Sequence, residues 1–321
     1  MTDYWRPSAS MANLHQRAAL LAQVRLFFAE RKVLEVETPL LAQYSVTDPY
    51  MDVVTAENPL AAGANYFLQT SPEYAMKRLL AVGSGPIYQI SKAFRKGELG
   101  SRHNPEFSML EWYRPGFDEV QLMEEVADLL KAVLNISAPC QYLTYRDAFQ
   151  QQLGFDPHLI SCDDLQTLAR AQLDIQMQSE HKDDWLNLLM AEIIEPNLDA
   201  TVPVFITDYP ASQAALAKTA KDARGVLVAK RFELYFQGME LANGYCELTN
   251  AEEQQQRFQR DQQLRAVLGR EPREIDRYLL AAVAQGLPAC AGVALGFDRL
   301  LMLVAGATSI KDVISFTADR A

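Results

Sequence analysis

The sequence predicts an α+β fold in which an antiparallel sheet is flanked by helices. Strand-like segments come in pairs joined by short polar loops, and amphipathic helices lie before and after these pairs. Apolar residues make up 49% of the chain, and its 15 glycines and 15 prolines are too few for a fibrous or low-complexity protein. We therefore expect a packed globular protein.

Composition excludes several broad classes. The net charge of −11 argues against a general nucleic-acid coat, which needs a broad basic surface. No apolar run approaches the ~18 residues of a membrane span, and the first residues do not form a secretion signal. The four cysteines are scattered and form no CxxC motif. These features favour a cytoplasmic protein without disulfides.

The first half of the chain predicts a helix, a strand, a hairpin and a second helix. Apolar residues recur at helical spacing over 13–31, and 33–39 resembles a strand stopped by Pro39. The segment 85–114 predicts two strands around a polar loop. Asp118 can cap the next helix. The core face of that helix would comprise Met123, Val126, Ala127, Leu130 and Leu134.

The second half is less regular. The segment 138–230 is the least informative and predicts one clear strand, at 202–207. Strand pattern returns at 231–241, and Asn250 with Glu253 forms a capping-box pattern for a helix that stops near 269. Another helix is expected at 276–285, followed by a strand of small residues at 292–296 and a last helix from Asp298.

The second strand of the 85–114 hairpin has an unusual face. Because strand side chains alternate, Phe107, Met109, Glu111 and Tyr113 share one side. An aromatic ring, a carboxylate and a phenol in a row suit a ligand with a flat ring at one end and a cationic amine at the other. An amphipathic hairpin with one solvated face explains the pattern equally well.

Basic residues gather beside this hairpin. Arg95 ends the first strand, next to a loop that holds Arg102, His103 and Asn104. A guanidinium group at this position suits a phosphate or a carboxylate.

A second candidate site contains two glutamates. Asn243-Gly244 is a strong signal for a two-residue hairpin turn, and this turn would place Glu240 directly opposite Glu247. At ~5 Å their repulsion is roughly 3 kcal/mol, which a divalent cation would offset. Carboxylates suit Mg²⁺, which usually arrives with phosphates attached. Two solvated glutamates, or one protonated glutamate, are the alternatives.

Two further segments are weaker candidates. Gly292, Ala294 and Gly296 clear one face of a strand for a ligand or another backbone, and Arg299 lies in the first turn of the next helix. A tightly packed strand–helix corner is the alternative. The segment 71–73 resembles a strand-to-turn break with a surface glutamate.

In this order, these segments resemble the catalytic core of a class II aminoacyl-tRNA synthetase of the lysyl type. The segment from Phe27 to Pro39 resembles motif 1, and Phe94-Arg95 through Tyr113 resembles motif 2. The segment from Glu240 to Glu247, followed by 292–299, resembles motif 3 and the acidic hairpin before it. The similarity spans nearly the whole chain, so one catalytic domain over 1–321 is expected.

The resemblance implies an ATP site in which Arg95 contacts the α-phosphate and the amino acid carboxylate. Phe107 would stack on adenine, and Arg299 would lie on the other face of the base or at the γ-phosphate. Arg95 and Arg299 would be the catalytic residues. The implied ATP-binding residues are Arg95, Lys96, Gly97, Glu98, Asn104, Phe107, Glu240, Leu241, Gly296 and Arg299. Lysyl synthetases usually have Asn-Glu after this arginine, so whether Gly97 or Glu98 contacts ATP stays open.

The resemblance also implies an amino acid site and a metal. Glu111 and Tyr113 would bind the far amine of a lysine, Glu73 would receive an amino group, and Glu240 with Glu247 would hold Mg²⁺. The implied substrate-binding residues are Ser71, Pro72, Glu73, Glu111, Tyr113, Glu247 and Ala294.

Within this family the chain is similar to the lysyl-tRNA synthetase paralogues that attach (R)-β-lysine to elongation factor P. About a dozen residues precede the first helix, so no anticodon-binding OB domain is expected, and Ala294 lies where lysyl synthetases have a glycine. The resemblance implies a homodimer without stable tRNA binding. A truncated lysyl synthetase with another acceptor and a catalytically inactive regulatory paralogue are the alternatives.

Overall fold

The computed structural model describes residues 5–60 and 65–321, which form two compact units. Unit 1 contains the described residues up to Ile136 and those from Leu248 to Ala321, and unit 2 is Ser137–Glu247. The helices are α1 (Met11–Glu30), α2 (Glu73–Ala81), α3 (Glu119–Leu134), α4 (Tyr145–Leu153), α5 (Cys162–Gln172), α6 (Lys182–Leu189), α7 (Ala251–Val267), α8 (Arg277–Gly286) and α9 (Phe297–Ala305). The strands are β1 (Leu34–Glu35), β2 (Leu41–Ala42), β3 (Thr55–Glu57), β4 (Asn65–Leu68), β5 (Ile87–Phe94), β6 (Glu106–Pro115), β7 (Gln141–Thr144), β8 (Val204–Pro210), β9 (Thr219–Lys221), β10 (Leu227–Phe236), β11 (Met239–Cys246) and β12 (Cys290–Gly296).

The predicted α+β fold is confirmed. In unit 1, β6 pairs antiparallel with both β5 and β12, and the short strand β1 pairs parallel with β5. A separate small antiparallel sheet has the order β2-β4-β3. Among the described residues, no helix combines the length and the apolar character that crossing a membrane requires.

Helices cover one face of the unit 1 sheet. The ring of Phe28 from α1 stacks on Tyr88 at 4.4 Å and meets Trp112 edge-on at 5.3 Å between ring centroids. On the same face, the buried carboxylate of Asp298 accepts hydrogen bonds from Arg17 Nη1 and from the backbone N–H of Ser108, both at 2.6 Å. These contacts hold α1 and α9 against the face of β6 that contains Ser108 and Trp112.

The two helix caps predicted in unit 1, Asp118 and Asn250, are confirmed. The side chain of Asp118 accepts a hydrogen bond from the backbone of Gln121, Asn250 does the same from Glu253, and Asp276 caps α8. Leu134, expected in the core face of α3, is only half-buried. The strand expected over 33–39 shrinks to the two residues of β1.

Unit 2 contains the segment that the sequence left least resolved. β7 pairs parallel with β8, and β10 pairs antiparallel with β8, β9 and β11. The strand expected at 202–207 is observed as β8. α4, α5 and α6 bury a core of aromatic and aliphatic residues that includes Phe149, Trp185 and Ile206. A π-helical turn at Met190–Ile194 extends α6.

The prediction of a hairpin turn at Asn243-Gly244 is wrong. The chain turns at Gln237 and Gly238, which both have positive φ angles of 50° and 68°, and Phe236 pairs with Met239. The strand expected over 231–241 is therefore interrupted by this turn. Gly244 lies inside β11 opposite Phe232.

The ring of Phe232 covers Gly244. A Cβ atom built on Gly244 would lie 2.3 Å from Phe232 Cζ, and Phe232 is fully buried. An aromatic ring placed over a strand glycine shields its backbone and leaves no space for a larger side chain. The glycine at 244 therefore serves packing within the hairpin.

We expect Gly244→Ala to lower the free energy of unfolding by about 1–3 kcal/mol, because the added methyl group collides with a buried ring. Urea denaturation measures this change. Gly100→Ala is the matched control, because a Cβ there meets nothing within 4 Å. The double variant Gly244→Ala with Phe232→Leu should lose less unfolding free energy than the sum of the losses in the two single variants. Equal stability of Gly244→Ala and the control would contradict the observed register.

Candidate functional site

The register of β5, β6 and β12 brings the polar residues of the first candidate site onto one face. Three rows cross all three strands. Gln89, Glu111 and Ala294 form one row, and Ser91, Met109 and Gly296 form the next. The neighbouring row contains Ala93 and Phe107, and the row beyond Glu111 contains Ile87, Tyr113 and Gly292. The prediction that Phe107, Met109, Glu111 and Tyr113 share a face is confirmed.

The small residues of β12 clear this same face. Ala294 and Gly296 are partly exposed, whereas Val293 and Leu295, which alternate with them, are buried. The two sequence patterns in β6 and β12 therefore describe one surface, opposite the face that α1 and α9 cover. A surface with this opening can receive a ligand.

A carboxylate and a phenol lie together in the middle of this face. Glu111 is only 2% exposed, and the hydroxyl of Tyr113 donates a hydrogen bond to its Oε1 at 2.6 Å. The hydrogen bond orients the carboxylate. A buried, oriented carboxylate suits a primary ammonium group, because the cation offsets the cost of burying the negative charge.

Arg95 follows β5 and lies beside the aromatic end of the face. Its Cζ is 5.1 Å from the centroid of the Phe107 ring, and its Nη1 is 3.8 Å from Glu98 Oε1. Its Nε is buried and has no hydrogen-bond partner among the described residues. A buried guanidinium N–H without an acceptor is costly in the free protein. An anionic ligand would supply the missing acceptor.

The loop between β5 and β6 has one exposed and one anchored part. Lys96 and Gly97 are exposed, and Gly97 has a φ of 84°. Asn104 is buried, and its side chain donates to the carbonyl of Glu106 at 2.6 Å and accepts from the backbone N–H of Ala318 at 3.1 Å. Asn104 therefore holds this loop in place, and its contact with ATP stays a prediction.

His103 of this loop contacts Arg299 of α9. Arg299 Nη2 lies 2.7 Å from His103 Nε2, so the imidazole accepts the hydrogen bond as a neutral ring. Burial and the neighbouring Arg299 lower the pKa of His103 from its ordinary value near 6.5. The contact therefore persists at neutral pH and connects the loop to the first turn of α9.

Glu73 differs from its predicted surface position. Residues 71–73 open helix α2, in which Ser71 Oγ accepts the backbone N–H of Glu73 at 3.2 Å. The Glu73 side chain is 16% exposed and contacts the Nζ of the buried Lys77 at 2.6 Å. The carboxylate already binds an ammonium group. Lys77 was not selected from the sequence, although a lysine four residues after a glutamate is a recognisable helical pair.

Glu240 and Glu247 do not face each other across a turn: Glu240 lies in β11, and Glu247 directly follows its last residue. Tyr235 pairs with Glu240 and Leu234 pairs with Ala242, so Leu241 is the extra residue of a β-bulge. Because the bulge adds one residue, Glu240 lies on the same side as Asn243 and Tyr245. Continued alternation beyond Cys246 places Glu247 on this side as well.

The two carboxylates would need further ligands to hold Mg²⁺. No group of three or more potential metal-ligating side chains lies together in residues 5–60 and 65–321. Mg²⁺ is commonly bound by one or two carboxylates and substrate phosphates. Glu240 and Glu247 are not opposite each other, so their repulsion is no longer an argument for a cation. The metal prediction depends on the shared face and the family resemblance.

A polar cluster occupies the same face further along β10. Glu233 accepts hydrogen bonds from Tyr209 at 2.7 Å, from Tyr235, from Arg231 and from Asn243. A cavity of about 130 Å³ lies beside it. The hydrogen-bonding capacity of Glu233 is filled by its neighbours, so this cluster stabilises unit 2 and orients β11.

Known proteins match the chain over its full length. A family model described as tRNA synthetases class II (D, K and N) matches residues 1–320. The elongation factor P–(R)-β-lysine ligase of Pseudoalteromonas translucida (strain TAC 125) is 51% identical over 325 residues, which cover 99% of each chain. The ligase of the same name from Salmonella dublin is 50% identical over 328 residues, covering 100% of this chain and 99% of its own.

These matches agree with the α+β fold and with the motifs found in the sequence. Both relatives are named as ligases, and the family model spans the segments of all three motifs. The chain belongs to the class II tRNA synthetase family.

Proposed function

We propose that this protein activates (R)-β-lysine with ATP and transfers the β-lysyl group to a lysine of elongation factor P. The observation that carries the proposal is the identity of about half of all residues, over the full chain, to ligases of that name. The polar face of β5, β6 and β12 supports it, because its carboxylate suits an amine and its arginines suit phosphates.

In the first step, a carboxylate oxygen of β-lysine attacks the α-phosphorus of ATP. The bond from this phosphorus to the bridging oxygen breaks, and pyrophosphate leaves with the electron pair. The product is β-lysyl-adenylate. The protein contributes alignment and charge neutralisation, without a covalent intermediate on its own side chains.

Arg95 and Arg299 are proposed to neutralise the triphosphate during this step. The partnerless Nε of Arg95 and its position beside Phe107 support a role between phosphate and adenine. Lys96, Gly97 and Glu98 are proposed as the contacts of the β5–β6 loop to ATP. Leu241 and Gly296 are proposed to contact it through the backbone.

Glu111 and Tyr113 are proposed to bind the far amine of β-lysine, and Ala294 to limit the pocket beside them. Glu73, oriented by Lys77, is proposed to receive the other amine, together with Ser71, Pro72 and Glu247. Glu240 and Glu247 would hold Mg²⁺, which would neutralise phosphate charge when bound.

In the second step, the unprotonated ε-amine of the acceptor lysine attacks the acyl carbon of the adenylate. An amide bond forms, the bond to the phosphate oxygen breaks and AMP leaves, while the nitrogen releases a proton to solvent. Homodimerisation and a cytoplasmic location are part of this proposal.

Acceptor specificity tests the proposal directly. We expect the enzyme with ATP and labelled β-lysine to label elongation factor P, and to leave tRNA unlabelled. An elongation factor P with its acceptor lysine changed to arginine should stay unlabelled, and Arg95→Ala should be inactive with every acceptor. Charging of tRNA without labelling of the factor would favour the truncated lysyl synthetase instead.

Ala294 should set the preference between lysine isomers. We expect Ala294→Gly to shift the ratio of kcat/KM for β-lysine over α-lysine towards α-lysine by about tenfold, because one methyl group in a pocket has an effect of this size. ATP–pyrophosphate exchange with each isomer measures it. Ala291→Gly makes the same change on the opposite face of β12 and should leave the ratio unaltered. An unchanged ratio in Ala294→Gly would remove this residue from the pocket.

The metal assignment predicts a change in Mg²⁺ dependence. We expect Glu240→Gln to raise the Mg²⁺ concentration for half-maximal exchange about tenfold, through the loss of one charged contact. Glu252→Gln, an exposed change in the first turn of α7, is the matched control. Identical Mg²⁺ curves for both variants would show that Glu240 does not bind the metal.

A further inference from the structure

We propose that Ser91 is a further substrate-binding residue, whose hydroxyl donates a hydrogen bond to the carboxylate of the amino acid. This inference rests on the proposed function and names a contact within its amino acid site. It follows from the position of Ser91 in β5, from its unsatisfied hydroxyl and from the length of the substrate.

Ser91 lies on the ligand face, one row from the amine site. It is the direct neighbour of Met109 across β5 and β6, and Met109 in turn pairs with Gly296. The adjacent row contains Gln89 and Glu111. Along β5, the direction from Gln89 to Ser91 continues to Arg95.

The hydroxyl of Ser91 lacks a partner in the free protein. The residue is 9% exposed, and its Oγ is buried without a hydrogen-bond partner among the described residues. A buried polar atom is normally paired, so an unpaired one is a cost that alanine would remove. By contrast, the neighbouring Gln89 is held by the hydroxyl of Thr38 at 2.9 Å.

The length of β-lysine matches the distance between the two rows. Successive rows on one face of a strand are about 7 Å apart. Six bonds separate the carboxyl carbon of β-lysine from its terminal nitrogen, which is about 7.5 Å in an extended chain. With the terminal amine at Glu111, the carboxylate therefore lies level with Ser91.

Gly296 and Arg299 make this row suitable for the reacting end. Gly296 has no side chain above the row, and a Cβ built there would lie 3.4 Å from Arg299 Cδ. Gly296 is two strands from Ser91, about 10 Å away, so Arg299 borders the far end of this row. A carboxylate held by Ser91 points along β5 towards Arg95. Both arginines are proposed phosphate contacts, so the carboxylate is held next to the phosphorus it attacks.

The test compares Ser91→Ala with Ser84→Ala, whose hydroxyl contacts the adjacent carbonyl of Gly85 outside the site. We expect Ser91→Ala to lower kcat/KM for β-lysine in pyrophosphate exchange about tenfold, while the Tm of the free protein stays equal or rises. The increase in Tm on adding β-lysine should shrink. Ser84→Ala should match the wild type in exchange.

A substrate analogue identifies the bonded group. 6-Aminohexanoate keeps the carboxylate and the terminal amine but lacks the 3-amino group, so Ser91→Ala should weaken its thermal shift by the same factor as for β-lysine. A loss confined to β-lysine would assign the hydroxyl to the 3-amino group and overturn the proposal. Unchanged exchange and thermal shift, or a lower Tm alone, would also overturn it.

Failure of the proposed function gives a different result. A wild type without exchange activity with any lysine isomer would contradict adenylation, but the thermal shift needs no turnover and still measures the Ser91 contact. Normal exchange by the wild type, with Ser91→Ala equal to it, would leave the proposed function intact and reject the Ser91 contact.

Discussion

The antiparallel register of β5, β6 and β12 is the constraint on which the candidate site depends. A strand exposes alternate residues, so a slip of one residue would move Glu111 and Tyr113 to the helix-covered face. The packing of Phe28 against Tyr88 and Trp112, together with the buried Asp298 carboxylate, fixes which face is packed. The opposite face is thereby left for polar residues.

The packed and open faces divide stability from binding. Behind the sheet, the polar groups of Arg17, Ser108 and Asp298 satisfy one another. On the open face, Arg95 Nε and Ser91 Oγ are buried without partners, which lowers the stability of the free protein. A ligand whose anionic group accepts hydrogen bonds from both atoms would offset this cost, so ligand binding would stabilise the folded protein.

Patterns of local origin were predictable from the sequence. The alternation in β6, the small residues of β12 and the caps at Asp118 and Asn250 all follow from rules that involve neighbouring residues, and all are observed. Local rules do not predict that these patterns meet on one face, because the pairing of β6 with β12 joins segments far apart in the chain.

The predictions from the sequence were wrong where tertiary packing outweighs a local sequence signal. Asn243-Gly244 is the stronger turn dipeptide, yet Gln237-Gly238 forms the turn. The ring of Phe232 fills the space above Gly244, and Arg231 and Glu233 both hydrogen-bond to Asn243. These contacts need the strand to continue through 243–244. The helix at Glu73 was missed although Glu73 and Lys77 have the four-residue spacing of a helical ion pair.

The bulge at Leu241 also affects how such a site can be recognised or transplanted. Two residues on one face of a regular strand are separated by an even number of positions, whereas Glu240 and Glu247 are seven apart. A search for paired acids at even spacing would pass over this strand. Deleting Leu241 would reduce the separation to six and keep both acids on one face of a regular strand. Removing the bulge without this deletion would turn Glu240 towards the apolar face of Phe232 and Leu234, and the acid pair would be lost without a change to either acid.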